Sequence, residues 1–208
     1  MRYSVGRYDL FAKKIINLKS GGVLIQEEIK MFIETERLII RDLEQKDAEE
    51  LYKIVWQKNV VRFMKDWSEH GSNPEAFNGY IEWHQTQKNS TDVYEGKRYA
   101  ITIKGEDVLI GVVGMGLEET VNEVEMAYFL DEAYQGNGYA SEALSALFDW
   151  CIKVSDLPYL ILTIDCANEK SCKVAERAGF ELFEKRTPIS HKQPNMESDS
   201  YFYYRKYR

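Results

Sequence analysis

Gln135-Gly136-Asn137-Gly138-Tyr139-Ala140 joins two segments of different periodicity. Before it runs the apolar stretch Val124 to Leu130; after it Ala140, Ala143, Leu144, Leu147, Phe148 and Cys151 recur at i, i+3, i+4 and i+7, which predicts a helix with one apolar face. A small-residue turn feeding a helix start is an anion site in outline. The first amides of a helix have no intrahelical acceptor, the aligned peptide dipoles add partial positive charge, and glycines let a phosphate approach the main chain closely. The same spacing also fits a tight packing turn or a dinucleotide-binding loop. The latter needs a parallel βαβ unit with an acidic residue about 20 positions on. Asp156 is near that distance but precedes the next strand instead of ending it.

Working outward, Tyr99 to Ile103, a turn at Lys104 to Asp107, and Val108 to Met115 read as a hairpin, with Val124 to Leu130 as a third strand. This antiparallel run argues against the dinucleotide fold. Upstream, Glu36 to Arg41 reads as a β-branched strand, followed by Ala48, Leu51, Tyr52 and Val55 at helical spacing with Asp47 as N-cap. Asn59 to Gln87, rich in aromatics and broken by Gly71 and Pro74, predicts two short helices. Downstream, Tyr159 to Cys166 reads as a buried strand, and Val174, Ala175 and Ala178 line a helix stopped by Gly179. Phe180 to Lys185 and Tyr201 to Arg205 are the closing strands.

The chain has 208 residues, 44% of them hydrophobic, enough for one self-sufficient core. Its 27 Lys and Arg face 34 Asp and Glu, a net charge of -7, so no global basic footprint for nucleic acid exists. The longest nearly uncharged apolar run, Val108 to Leu117, is about half of what a membrane span requires, and no export signal is evident. Cys151, Cys166 and Cys172 are odd in number and have no zinc-finger spacing, which fits a reducing cytoplasm without disulfide or structural zinc. Residues 1–30 stand apart: six basic residues against three acidic give +3, leaving -10 for 31–208. Leu10, Phe11, Ile15, Ile16 and Leu18 fit a short amphipathic helix ended by Ser20-Gly21-Gly22. The expected division is an N-terminal extension, 1–30, and a single domain, 31–208.

Gln135-Gly136-Asn137-Gly138-Tyr139-Ala140 also matches the Q/R-x-x-G-x-G/A signature of the GCN5-related N-acetyltransferase (GNAT) superfamily. Glu125-Met126-Ala127-Tyr128-Phe129-Leu130, Ser141-Glu142-Ala143-Leu144, Asn168-Glu169-Lys170-Ser171, Ala178-Gly179-Phe180 and the opening Thr35-Glu36-Arg37-Leu38-Ile39-Ile40-Arg41 resemble its ribosomal-protein N-terminal acetyltransferase (RimJ/RimL-like) subgroup. The resemblance covers roughly Phe32 to Lys206. It implies an α/β acyl-CoA N-acyltransferase (GNAT) fold, with a central mixed, mostly antiparallel twisted sheet flanked by helices. It further implies acetyl-CoA in a wedge where Val124 to Leu130 and the parallel neighbour Tyr159 to Cys166 splay apart. Main-chain groups of Tyr128, Phe129 and Leu130 would pair with the pantetheine arm. Amides from Gln135, Gly136, Asn137, Gly138, Tyr139, Ala140 and Ser141 would hold the pyrophosphate.

Amine acetylation needs a neutral amine and a proton for the departing thiolate, hence one base and one acid. Asn168 and Ser171, three apart at a helix start, point toward the same end of the wedge; Asn168 either caps the helix or bonds the pantetheine amides. The resemblance makes Ser171 the candidate acid. Its alternative, a tyrosine one turn further, is replaced here by Val174 and Ala175. Glu125 is the preferred base, with Glu118 and Glu123 behind it. Trp67, Tyr80 and Trp83 are doubtful acceptor-pocket residues that core packing explains equally well. Lys170, Lys173 and Arg177 either reach the adenosine 3′-phosphate or solvate a helix face. His70, His84 and His191 lack metal spacing, and no metal is expected. Cys166 is read as a small strand residue, not a nucleophile.

The expected activity is acetyl transfer from acetyl-CoA to a primary amine, with a protein N-terminal α-amine preferred by subgroup resemblance. A polyamine or aminoglycoside acetyltransferase and a non-catalytic CoA-binding regulatory module are the alternatives; a nicotinamide oxidoreductase is a distant third. The expected partners are acetyl-CoA and the amine acceptor, with neither nucleic acid nor membrane, in a cytoplasmic monomer or homodimer.

Overall fold

The computed structural model describes residues 12–19, 22–29, 31–86, 92–187 and 197–208, the first two segments by their backbone course alone. Strands β1 (Ala12–Lys19) and β2 (Gly22–Ile29) form a two-stranded antiparallel sheet of their own. This corrects the helix expected around Ile15, Ile16 and Leu18; Leu10 and Phe11 fall outside the described residues. The adjacent β-branched Ile15 and Ile16 favour extended backbone. The register places Lys19 opposite Gly22; Ser20 and Gly21, expected to end the helix, fall outside the described residues.

The main sheet has eight strands in the order β3 (Phe32–Glu34), β4 (Leu38–Asp42), β5 (Lys97–Ile103), β6 (Leu109–Glu118), β7 (Glu123–Leu130), β8 (Tyr159–Asp165), β10 (Tyr201–Tyr207) and β9 (Glu181–Arg186). Every neighbouring pair is antiparallel except β7 with β8, which is parallel. Strand periodicity sorts the side chains of β7 between two cores. Val124, Met126 and Leu130 pack with the apolar stripe of α5 (Tyr139–Val154), formed by Ala140, Ala143, Leu144, Leu147, Phe148 and Cys151. Phe129 turns to the opposite face, against Trp67 and Phe77 of the helical layer. That layer comprises α1 (Ala48–Val55), α2 (Lys58–Phe63), α3 (Lys65–Ser68) and α4 (Pro74–Thr86).

Two local expectations are corrected here. Between α1 and Gln87, which is not described, lie three helices and not two: Met64, at φ −138, interrupts what would be one helix and separates α2 from α3. Asp47 does not cap α1 with its side chain. Its buried carboxylate accepts two hydrogen bonds from Arg41, at 2.7 and 2.9 Å, and one from the Glu44 amide at 2.8 Å. A guanidinium buried in β4 demands a paired carboxylate, and that demand outweighs the capping preference. Among the described residues no helix is long and apolar enough to cross a membrane.

Candidate active site

Pairing between β7 and β8 is confined to Glu125 opposite Ile161; beyond it the strands part. The Glu125 side chain occupies the apex. Its carboxylate accepts from the Thr163 amide at 2.9 Å and from the Thr163 hydroxyl. In a continued parallel ladder that amide would face a carbonyl of β7, so a side chain stands where a main-chain acceptor would be. The result is a cleft of about 640 Å³ between β7, the N-terminus of α5, α6 (Glu169–Arg177) and α2. Tyr128, Phe129 and Leu130 line it from the strand; Gln135, Gly136, Gly138, Tyr139, Ala140 and Ser141 line it from the loop and helix start.

The loop is built for close approach. Gly136 and Gly138 both have φ of +82, a conformation that side chains resist, and a Cβ on Gly138 would lie 3.4 Å from the Arg37 guanidinium. The Glu142 amide donates to the Gly138 carbonyl at 3.1 Å, so Tyr139, Ala140 and Ser141 precede the helical ladder and keep their amides for another acceptor. Side chains brace the loop: Gln135 donates to the Leu130 carbonyl and accepts from Lys170, each at 3.3 Å, while Asn137 donates to the Tyr134 and Gln135 carbonyls. Ser141 donates to the Val174 carbonyl at 3.3 Å, tying α5 to α6.

Across the cleft, Asn168 caps α6 by accepting from the Ser171 amide at 3.2 Å, and both residues line the cavity. The Tyr128 phenol reaches toward the Ser171 carbonyl at 3.5 Å and is pushed well above its usual pKa by burial. Burial also raises Glu125, to about 7; the nearby Glu118 adds to the rise and the Thr163 hydrogen bonds oppose it. The two weaker base candidates are committed elsewhere. Glu118 accepts from the Thr120 amide and hydroxyl. Glu123 accepts from Tyr159, Tyr203 and Arg205; burial pushes its pKa up, but the two phenol bonds and the arginine outweigh that and hold it low.

The three aromatic candidates do not meet in the cleft. Trp67 is buried edge-on against Phe129 and Tyr80, and Trp83 is 54% exposed. His70 and His84 flank Tyr80; burial lowers both, His84 to about 4. His191 lies outside the described residues. Cys166 accepts from the Ser200 hydroxyl at 3.5 Å. Lys170, Lys173 and Arg177 all line the cleft.

Sequence reading missed Asn59, Val60, Phe63 and Met64 of the α2 region, which form the opposite wall. The apolar spacing of 60, 63 and 64 is visible in the sequence, but nothing there distinguishes a cleft wall from core. Among the described residues, the buried Asn59 Oδ1 has no hydrogen-bond partner. An orphaned acceptor in a cleft fits a ligand that brings N–H groups, and the glycine loop with its free helix amides fits phosphate. Both features suit acetyl-CoA, whose pantetheine arm carries amides and whose nucleotide end carries a pyrophosphate.

Residues 37–181 match the family model described as an acetyltransferase (GNAT) domain. An uncharacterized N-acetyltransferase of Bacillus subtilis, YnaD, is 27% identical over 176 residues, covering 83% of this chain and 95% of the relative. The ribosomal-protein-serine acetyltransferase of Escherichia coli is 27% identical over 151 residues, covering 71% of this chain and 81% of the relative. Among solved structures, a RimL ribosomal L7/L12 α-N-protein acetyltransferase in complex with coenzyme A superposes with a TM-score of 0.69 at 20% identity, over 85% of this chain and 98% of that one. The chain is therefore an acetyl-CoA-dependent N-acetyltransferase and belongs to the GNAT acetyltransferase family.

Proposed function

We propose that this chain acetylates the α-amine of a protein or peptide N-terminus by direct attack. Acetyl-CoA supplies the activated acyl group as a thioester. The main chain of Tyr128 to Leu130 aligns the pantetheine arm, with Asn59 Oδ1 accepting an amide N–H from the opposite wall, and the amides of Gly136 to Ser141 hold the pyrophosphate. A neutral amine attacks the thioester carbonyl; Glu125 takes, directly or through a water, the proton that the nitrogen then sheds, and the Ser171 hydroxyl protonates the thiolate as the C–S bond breaks and is itself reprotonated from solvent.

The observation that carries the acceptor class is the similarity to the ribosomal-protein-serine acetyltransferase; the carboxylate at the apex, held by the Thr163 amide and hydroxyl, offers a base beside the wedge. An α-ammonium titrates near 8 and a lysine ammonium near 10.4, so at pH 7 roughly a tenth of the first but under a thousandth of the second is the neutral nucleophile. The test is release of free coenzyme A thiol at pH 7 with four acceptors: a peptide with a free N-terminus, the same peptide N-acetylated but carrying lysine, spermidine, and an aminoglycoside. The free α-amine peptide should exceed the lysine peptide in kcat/KM on the order of 100-fold, the ratio of their neutral fractions. Faster turnover of spermidine or the aminoglycoside would overturn the acceptor class; binding of acetyl-CoA without turnover of any amine would make the protein a regulatory module.

We place this activity in residues 31–208. The eight-stranded sheet begins at Phe32, and the Met31 amide donates to the Asp42 carboxylate at 3.0 Å. A chain beginning at Met31 should bind acetyl-CoA in calorimetry with an unchanged Kd; weaker binding would bring the first 30 residues into the site.

A further inference from the structure

Thr35-Glu36-Arg37-Leu38 opens the domain about 100 residues before the glycine loop, yet it folds against the back of that loop. The Arg37 guanidinium donates from Nε to Glu142 Oε2 at 2.7 Å and contacts the same oxygen through its Nη2 at 2.6 Å. Its Nη1 donates to the Asn137 carbonyl at 2.8 Å, and the group lies over the Tyr139 ring at 4.7 Å. Glu142 also accepts from the Thr35 hydroxyl at 2.6 Å and the Arg37 amide at 3.0 Å. Arg37 is not part of the cleft wall, and its guanidinium nitrogens are engaged with the loop and with α5.

We propose that Arg37, with Glu142, is a positioning pair for the pyrophosphate-binding loop, acting in two ways. The first is orientation. In a trans peptide the carbonyl and the following N–H point in opposite directions, so pinning the Asn137 carbonyl toward Arg37 turns the Gly138 N–H away from it, toward the cleft that Gly138 lines. The second is charge. Glu142 lies in the first turn of α5 with its side chain 17% exposed, close behind the anion-binding amides. Left bare, this carboxylate would oppose a bound pyrophosphate; Arg37 cancels it.

This inference rests on the reading that the loop holds the pyrophosphate, and its test separates the two. Full-length protein is assayed with acetyl-CoA and with S-acetylpantetheine, which lacks the pyrophosphate and nucleotide. The wild type should prefer acetyl-CoA in kcat/KM. Arg37→Gln should raise the Kd for acetyl-CoA and reduce that preference, each about tenfold, as expected for a lost charge-assisted contact and an exposed repulsion. Arg37→Gln combined with Glu142→Gln should regain about half of the loss on a logarithmic scale, because the repulsion goes with the carboxylate. A wild type without preference for acetyl-CoA would overturn the pyrophosphate reading and this inference with it. A wild-type preference that Arg37→Gln leaves intact, with both donors slowed alike, would show a general structural role and overturn the inference alone. A double variant no better than Arg37→Gln would overturn the charge argument.

Discussion

Glu125→Gln should lower kcat about 100- to 1000-fold and remove from the kcat/KM profile the rise centred near pH 7. The sign follows from the chemistry: a base works in its ionised form, so the rate climbs as pH passes upward through the carboxylate's pKa. The rise near pH 8 that belongs to an α-amine acceptor should survive in the variant, since it is a property of the substrate. The substitution is mild for the fold, because the amide oxygen of glutamine still accepts from the Thr163 amide and hydroxyl. Linkage even favours the variant at high pH. The folded pKa is raised, so between about 4.5 and 7 the folded protein holds a proton that the unfolded chain gives up, and stability falls as pH rises through that window. The Gln variant lacks this loss. A thermal melt at pH 8 no lower than wild type, together with the lost limb, would place the defect in chemistry; an unchanged pH profile would remove Glu125 from the mechanism.

Ser171→Ala should lower kcat about 10- to 100-fold with acetyl-CoA while leaving its Kd nearly unchanged. The cap on α6 uses the Ser171 amide and not its hydroxyl, so the helix start survives the change. The diagnostic is the leaving group. An acetyl donor whose thiol is more acidic needs less proton donation, and the defect should shrink as thiol acidity rises across a series of acetyl thioesters. A defect of constant size across the series would assign Ser171 to positioning, and transfer the search for a donor to Tyr128, whose phenol points to the same turn of α6.

Periodic signals carried the main architecture. The apolar stripe from Ala140 to Cys151, the hairpin around Lys104 to Asp107 and the Gln135 to Ala140 loop each depend on local spacing, and each stands where expected. Glu125 and Ser171 were legible as residue types at strand and helix-start positions. What escaped was decided by partners distant in sequence. Asp47 looks like a cap until Arg41 is seen buried beside it, and the Ile15 and Leu18 pattern suits a helix until β2 is aligned opposite. The α2 wall was hidden for a related reason: Val60, Phe63 and Met64 carry the same apolar signature whether they face a core or a cleft.

The lone Glu125–Ile161 pairing has a consequence for how the molecule comes apart. Five strands, β3 to β7, are laddered together on one side of the seam and three, β8, β10 and β9, on the other, joined by one main-chain pairing and by the side-chain bonds of Glu123 and Glu125. Such a seam is a natural boundary for sub-global opening, at which the three-stranded piece exchanges its amide hydrogens without the rest of the sheet unfolding. In the proposed binding mode an arm of acetyl-CoA hydrogen-bonded to β7 would lie along this seam and fill the gap left by the missing ladder. Cosubstrate and fold would thereby be coupled: the ligand that brings the acetyl group would also brace the seam, and saturating acetyl-CoA should slow amide exchange in β8, β10 and β9.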